Sequence, residues 1–131
     1  MNEELETLVS YRLAKAADTL QDANLYFNSA TLSSTVNRLY YAVFYAVNAL
    51  LLSRGLASSK HAGVRSLFNR EFVKTNLIDK DLGRFFSDIY DSRQEGDYKD
   101  FVEFEKNDVS AWLEKAEAFI ARIQELIKTA S

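Results

Sequence analysis

The stretch Val36-Asn37-Arg38-Leu39-Tyr40-Tyr41-Ala42-Val43-Phe44-Tyr45-Ala46-Val47-Asn48-Ala49-Leu50 decides the fold of this chain. Val36, Tyr40, Val43, Val47 and Leu50 recur at helical spacing and form an apolar stripe. Arg38, Tyr41, Tyr45 and Asn48 form a second stripe, aromatic and polar. A helix of about Ser34 to Arg54 with two such faces is a central one, touching several neighbours at once. Its most apolar run, Leu39 to Leu52, is 14 residues long and contains Asn48. A bilayer span takes ~20 residues, so the run reads as a buried helix and no membrane association is expected.

Four further helices flank it. The first spans about Glu3 to Asn28, with Leu13, Ala16, Ala17, Leu20, Ala23 and Phe27 on its inner face. Its acidic start suits the helix dipole. Ser33 or Ser34 is the expected cap of the second helix and Gly55 its left-handed stop. A third, from about Lys60 to Lys74 and capped by Ser58 or Ser59, carries Val64, Leu67, Phe68 and Phe72. Asp79 caps the fourth, which ends near Gly96 before a loop through Tyr98 and Phe101. The fifth runs from about Glu105 to Thr129 on Val109, Leu113, Ala116, Ile120, Ile123 and Ile127, broadened by Trp112, Phe119 and Leu126. Short connections between long helices imply an all-α, up-and-down antiparallel bundle of four to five helices, a single domain over residues 1–131.

Composition agrees. The 131 residues include no proline and only four glycines, too few breakers for a chain of short strands and tight turns. Hydrophobic residues at 47% and charged residues at 27% fit a globular chain with a core. The absence of cysteine excludes disulfides and thiolate metal sites and makes a reducing cytoplasm the natural setting. The acidic N-terminus lacks the pattern of a signal peptide. The net charge of −3 is unevenly spread: Arg54 to Lys74 holds five Lys/Arg and one acid, whereas Asp79 to Asp108 holds ten acids and five bases. The basic segment is either a solvated face or a local phosphate-binding patch.

The fourth helix runs its apolar stripe into a charge. Leu82, Phe85, Phe86 and Ile89 lead to Arg93, within Arg93-Gln94-Glu95-Gly96-Asp97-Tyr98. An arginine on a core-facing stripe needs a partner or a task. The partner would be Asp91, Glu95 or Asp97; the task would be a phosphate at a cleft or subunit seam, with Tyr98 nearby. His61, the one histidine, cannot make a metal site without companions, and no metal or cofactor is expected. It reads as a locally bonded helix-start residue or as a phosphate contact with Lys60 and the free N–H groups of the helix start. The tyrosines of the second helix form core, interface or a stacking platform, and Asn37 and Arg38 are the expected partners of their hydroxyls.

Three of these segments also resemble one family. Asn37-Arg38-Leu39-Tyr40-Tyr41-Ala42-Val43-Phe44-Tyr45-Ala46, Lys60-His61-Ala62-Gly63-Val64 and Arg93-Gln94-Glu95-Gly96-Asp97-Tyr98 match, in order and spacing, small stand-alone HEPN-domain proteins. The resemblance implies a helical bundle that dimerises, acts on RNA without a metal in its nuclease members, and partners a minimal nucleotidyltransferase as toxin with antitoxin. In those nucleases an arginine and a histidine a few residues later meet across a dimer cleft. Arg93 matches the arginine. The histidine is missing: Tyr98, Lys99 and Asp100 stand in its place, and tyrosine is a poor general base at neutral pH.

The expected function is therefore a homodimeric binding module for nucleotide or RNA phosphate, or for a nucleotidyltransferase, built on Arg93, Tyr98, Asn37, Arg38, Lys60 and His61. Two alternatives stand beside it. One is a metal-independent ribonuclease using Arg93 with Tyr98 or His61; the other is a structural adaptor in which Arg93 is only an ion pair. The dimer is expected because the second and fifth helices carry apolar faces wider than one bundle core requires.

Overall fold

The fold was described from a computed structural model, which describes residues 1–98 and 103–129, and the backbone alone over 94–98. It is an all-α bundle: α1 (Glu3–Ser29), α2 (Leu32–Ser53), α3 (His61–Phe68), α4 (Lys80–Tyr98) and α5 (Lys106–Thr129). A π-helical turn over Asn69–Val73 continues α3.

The central helix takes its place for the reason its sequence suggested. Val36, Tyr40, Val43, Val47 and Leu50 are all buried, and α2 packs on α1, α3, α4 and α5. The polar-aromatic stripe of Arg38, Tyr41, Tyr45 and Asn48 is half-buried and faces outward between neighbours. The apolar width of α2 and α5 goes into this one core, with Phe119, Ile120, Ile123, Leu126 and Ile127 all buried. Large apolar side chains exposed on a helix face lie instead on α1: Leu8, Tyr11, Leu25 and Tyr26. Among the described residues, no large apolar side chain of α2 or α5 is exposed, so neither helix carries the spare apolar face expected of a dimer seam.

The helix ends differ in detail from expectation. Thr31, not Ser33 or Ser34, caps α2, its hydroxyl oxygen accepting from the Ser34 N–H at 3.1 Å. Thr31 wins because its backbone is extended, as a cap requires. Gly55 ends the helix with φ 73° while the Leu56 N–H returns to the Leu51 carbonyl. On α1 the inner face runs through Val9, Ala16, Thr19, Leu20 and Ala23, so Ala17 is exposed and Leu13 and Phe27 are half-buried. The fourth helix continues through Tyr98, so no loop begins there, whereas Phe101 lies outside the described residues.

Neither Ser58 nor Ser59 caps α3. Lys60 takes the cap position and no side chain bonds the helix's first N–H groups. Ser58 instead accepts from the Lys60 N–H at 3.3 Å. Gly63 makes this packing possible, since a Cβ there would overlap the Cβ and Oγ of Ser58. Gly63→Ala should force the turn before α3 outward and cost ~1–3 kcal/mol of stability. A urea midpoint unchanged from wild type would contradict that packing.

Candidate functional site

The site begins where α2 and α4 cross. The α4 stripe of Phe85, Phe86 and Ile89 is buried, and the next position on it is Arg93. The Arg93 Nη2 donates to the Tyr41 hydroxyl at 2.9 Å. Its guanidinium lies 5.4 Å from the ring centroids of both Tyr40 and Tyr41. The Arg38 guanidinium lies 5.4 Å from the same Tyr41 ring. Cations over aromatic faces gain ~0.5–2 kcal/mol each, more as water is excluded. Two permanently charged planar groups thus share one aromatic bed, the chemistry suited to a phosphate.

Arg38 also donates to the Asn37 side-chain carbonyl, from Nη2 at 2.9 Å and from Nε at 3.3 Å. Asn37 and Arg38 therefore pair with each other, and the hydroxyls of Tyr40 and Tyr41 find other partners, His61 and Arg93. Asp91, one expected partner of Arg93, is held by Arg65 at 3.0 Å, and Arg65 covers the Tyr90 ring at 4.5 Å. The side chains of Glu95, Asp97 and Tyr98 lie outside the described residues.

His61 joins this cluster from α3. Its Nδ1 is 2.9 Å from the Tyr40 hydroxyl, and its ring packs on Phe44 at 4.2 Å and edge-on to Tyr41 at 6.3 Å. Tyr40 is fully buried. Burial, and after it the neighbouring Tyr90, push its hydroxyl well above the ordinary tyrosine range, so it stays protonated. Burial, and then the positive charge of Arg93, pull His61 below its usual 6.5. Lys60 stands exposed at the head of the same helix.

The His61 shift has a measurable consequence. Above 6.5 the ring is neutral in folded and unfolded chains alike and contributes nothing to pH dependence. As pH falls below that value the unfolded chain takes up the proton first, so stability is lost until the folded ring protonates as well. The urea midpoint should therefore fall with acidification through this window in wild type, and less in His61→Asn. Parallel pH profiles for the two proteins would contradict it.

Five helices of this order, with an arginine of α4 over the tyrosines of α2, coincide with a match to the HEPN domain model over residues 9–126. The chain belongs to the HEPN-domain family. A UPF0332 protein of Thermotoga maritima is 48% identical over 98% of this chain and 96% of its own length. Two proteins of Methanocaldococcus jannaschii, each named "Putative toxin", are 34% identical over 95% of this chain and 82% of theirs, and 31% identical over 98% and 92%.

Within this HEPN domain the fold assembles Arg93, Arg38, Asn37 and His61 around Tyr40 and Tyr41, with Lys60 at the edge. Sequence reading missed the two tyrosines as the connectors. It also missed Arg12, which lines a cavity with Lys60 and His61 and whose Nε is buried without a hydrogen-bond partner among the described residues. The signal was present, because Arg12 occupies the i+3 place of the Val9–Ala16 stripe, as Arg93 follows Ile89. Among the described residues no three His, Cys, Asp or Glu side chains converge as metal ligands, and no helix is long and apolar enough to cross a membrane.

Proposed function

We propose that this HEPN domain is a phosphate-binding module, acting as a cytoplasmic homodimer of one unit over residues 1–131, within a toxin–antitoxin pair. A minimal nucleotidyltransferase is the proposed protein partner. The observation that carries the reading is the Arg93 guanidinium held by the Tyr41 hydroxyl, with Arg38 over the same ring. A guanidinium already held over two rings meets a phosphate without the entropy cost of ordering a mobile arginine. Asn37, Tyr98, Lys60 and His61 complete the proposed site for a nucleotide or RNA phosphate. The toxin names of the two Methanocaldococcus relatives support the cellular setting. The module is non-catalytic because the histidine expected just after Arg93 is replaced.

A second reading is favoured by the position of His61. A ring neutral at pH 7 accepts a proton, and this one sits in the cluster that contains Arg93. In that reading a ribose 2′-hydroxyl attacks phosphorus, His61 takes its proton, the P–O5′ bond breaks with the 5′-oxygen taking a proton from water, and Arg93 stabilises the charge that develops on the phosphoryl oxygens.

One experiment separates them. The purified chain is titrated with ATP and with a short single-stranded RNA in the presence of a chelator, and the RNA is then run on a gel. Saturable binding with intact RNA supports the module. Cleavage that persists in the chelator and vanishes in both Arg93→Ala and His61→Asn establishes the ribonuclease. Absence of binding by well-folded protein sinks both and leaves the adaptor. Sedimentation as a monomer at micromolar concentration would contradict the homodimer.

A further inference from the structure

We infer that a second phosphate subsite, for the phosphate group of a ribonucleotide, occupies the cavity between α1 and the α2–α3 turn, walled by Arg12, Asn48, Ser58, Ser59, Lys60 and His61. It deepens the reading of the chain as a phosphate binder and rests on that reading for the class of ligand.

The cavity measures about 240 Å³ and is open to solvent. Its charged lining is of one sign. Arg12 comes from α1 and Lys60 from the head of α3, and no lining residue bears a carboxylate. Neither Arg12 nor Lys60 makes a side-chain hydrogen bond or ion pair among the described residues. The Arg12 Nε is buried and lacks an acceptor, although buried guanidinium nitrogens are normally bonded. Leaving a charged donor in that state costs free energy, and an oxyanion beside the guanidinium would offset part of that cost through its charge. Asn48 and the Ser59 hydroxyl add neutral donors, whereas the Ser58 hydroxyl donates to the Lys60 carbonyl at 3.3 Å.

Two further features fit the same ligand. The first N–H groups of α3 have no side-chain cap, so they remain available beside Lys60. The His61 ring is clamped between Phe44 and the Tyr40 hydroxyl, which fixes its orientation on the cavity wall. When the Tyr40 O–H donates to Nδ1, the ring proton sits on Nε2 and is a further donor. His61 is the shared wall between this subsite and the Arg93 cluster, so the two would hold separate phosphates on either side of one imidazole.

The test uses the full-length, nitrogen-labelled protein and inorganic phosphate, titrated at constant ionic strength against chloride. Saturable shifts are expected at the backbone amides of residues 58–62 and at the Arg12 Nε–H. Arg12→Gln should weaken phosphate binding, read at the residue 58–62 amides, at least about tenfold, as expected for a lost charge-assisted interaction. Asn48→Asp, which places a carboxylate in the wall, should weaken it likewise and covers the case in which Arg12→Gln fails to fold. Arg93→Gln should weaken phosphate at the residue 58–62 amides much less than Arg12→Gln does, because its charge reaches this wall only through His61, which separates this subsite from the Arg93 site. Adenosine 5′-monophosphate binding there more tightly than phosphate assigns a free nucleotide; a short oligoribonucleotide doing so alone assigns a strand. No saturable shift, an unchanged affinity in Arg12→Gln, a loss in Arg93→Gln as large as in Arg12→Gln, or no gain from either ribonucleotide over phosphate would overturn the inference.

Discussion

Phe119→Ala should lower the unfolding free energy by about 3–5 kcal/mol. Phe119 is fully buried, and its ring centroid lies 5.6 Å from Phe68, 5.8 Å from Phe85 and 6.0 Å from Phe86. Through these rings α5 touches both α3 and α4. Removing it leaves a cavity lined by three rings that cannot all close on one another. Since domains of this size are stable by ~5–15 kcal/mol, the variant should be on the edge of unfolding at ambient temperature. Phe119→Leu keeps most of the volume and should cost much less. Urea melts followed by circular dichroism measure both, and a loss under ~1 kcal/mol for the alanine would mean that α5 does not dock as described.

Arg93→Ala should weaken binding of ATP and of single-stranded RNA at least about tenfold, or ~1.4 kcal/mol, while the fold survives. The Tyr41 hydroxyl would lose its donor, but Tyr41 is only half-buried and water can replace the guanidinium. The stability cost should therefore stay near ~1 kcal/mol. The adaptor reading inverts this pattern, with a loss of several kcal/mol and no change in ligand binding. Arg93→Lys sharpens the comparison: it keeps the charge and loses the planar fork, so it should fall between wild type and alanine. Fluorescence anisotropy and a urea melt on the same preparations decide between them.

The fold was legible because helical periodicity records burial directly. The α2 stripe of Val36, Tyr40, Val43, Val47 and Leu50 and the α5 face ending at Ile127 are buried position by position. Cap residues were less legible: Thr31, Ser33 and Ser34 are chemically equivalent candidates, and backbone conformation alone chooses Thr31. The stripe on α1 was read one position too wide at Ala17, because alanine carries little apolar signal of its own.

The candidate site was legible only in part. A charge interrupting an apolar stripe marked Arg93, and polar positions within an aromatic block marked Arg38 and Asn37. Pairing was not legible, because Tyr40 and Tyr41 adjoin in sequence yet face different partners, His61 and Arg93. That outcome depends on how far α3 and α4 are rotated about their own axes, which no local pattern encodes. The same dependence hid Arg12, whose neighbours Lys60 and His61 come from a distant turn.

The π-helical turn after α3 settles one of those rotations. The Lys74 N–H bonds to the Asn69 carbonyl five residues back, so the chain is wound more loosely there than in α3 itself. One end of this continuous helix is set by the Tyr40 hydroxyl holding His61. The other is set by Phe72, stacked on Phe68 at 6.1 Å within the core. The loose turn is the gear that lets both ends mesh at once. Taking one residue out of Asn69–Val73 would tighten the winding and turn the histidine against its tyrosine, detuning the site from a distance without altering any residue in it.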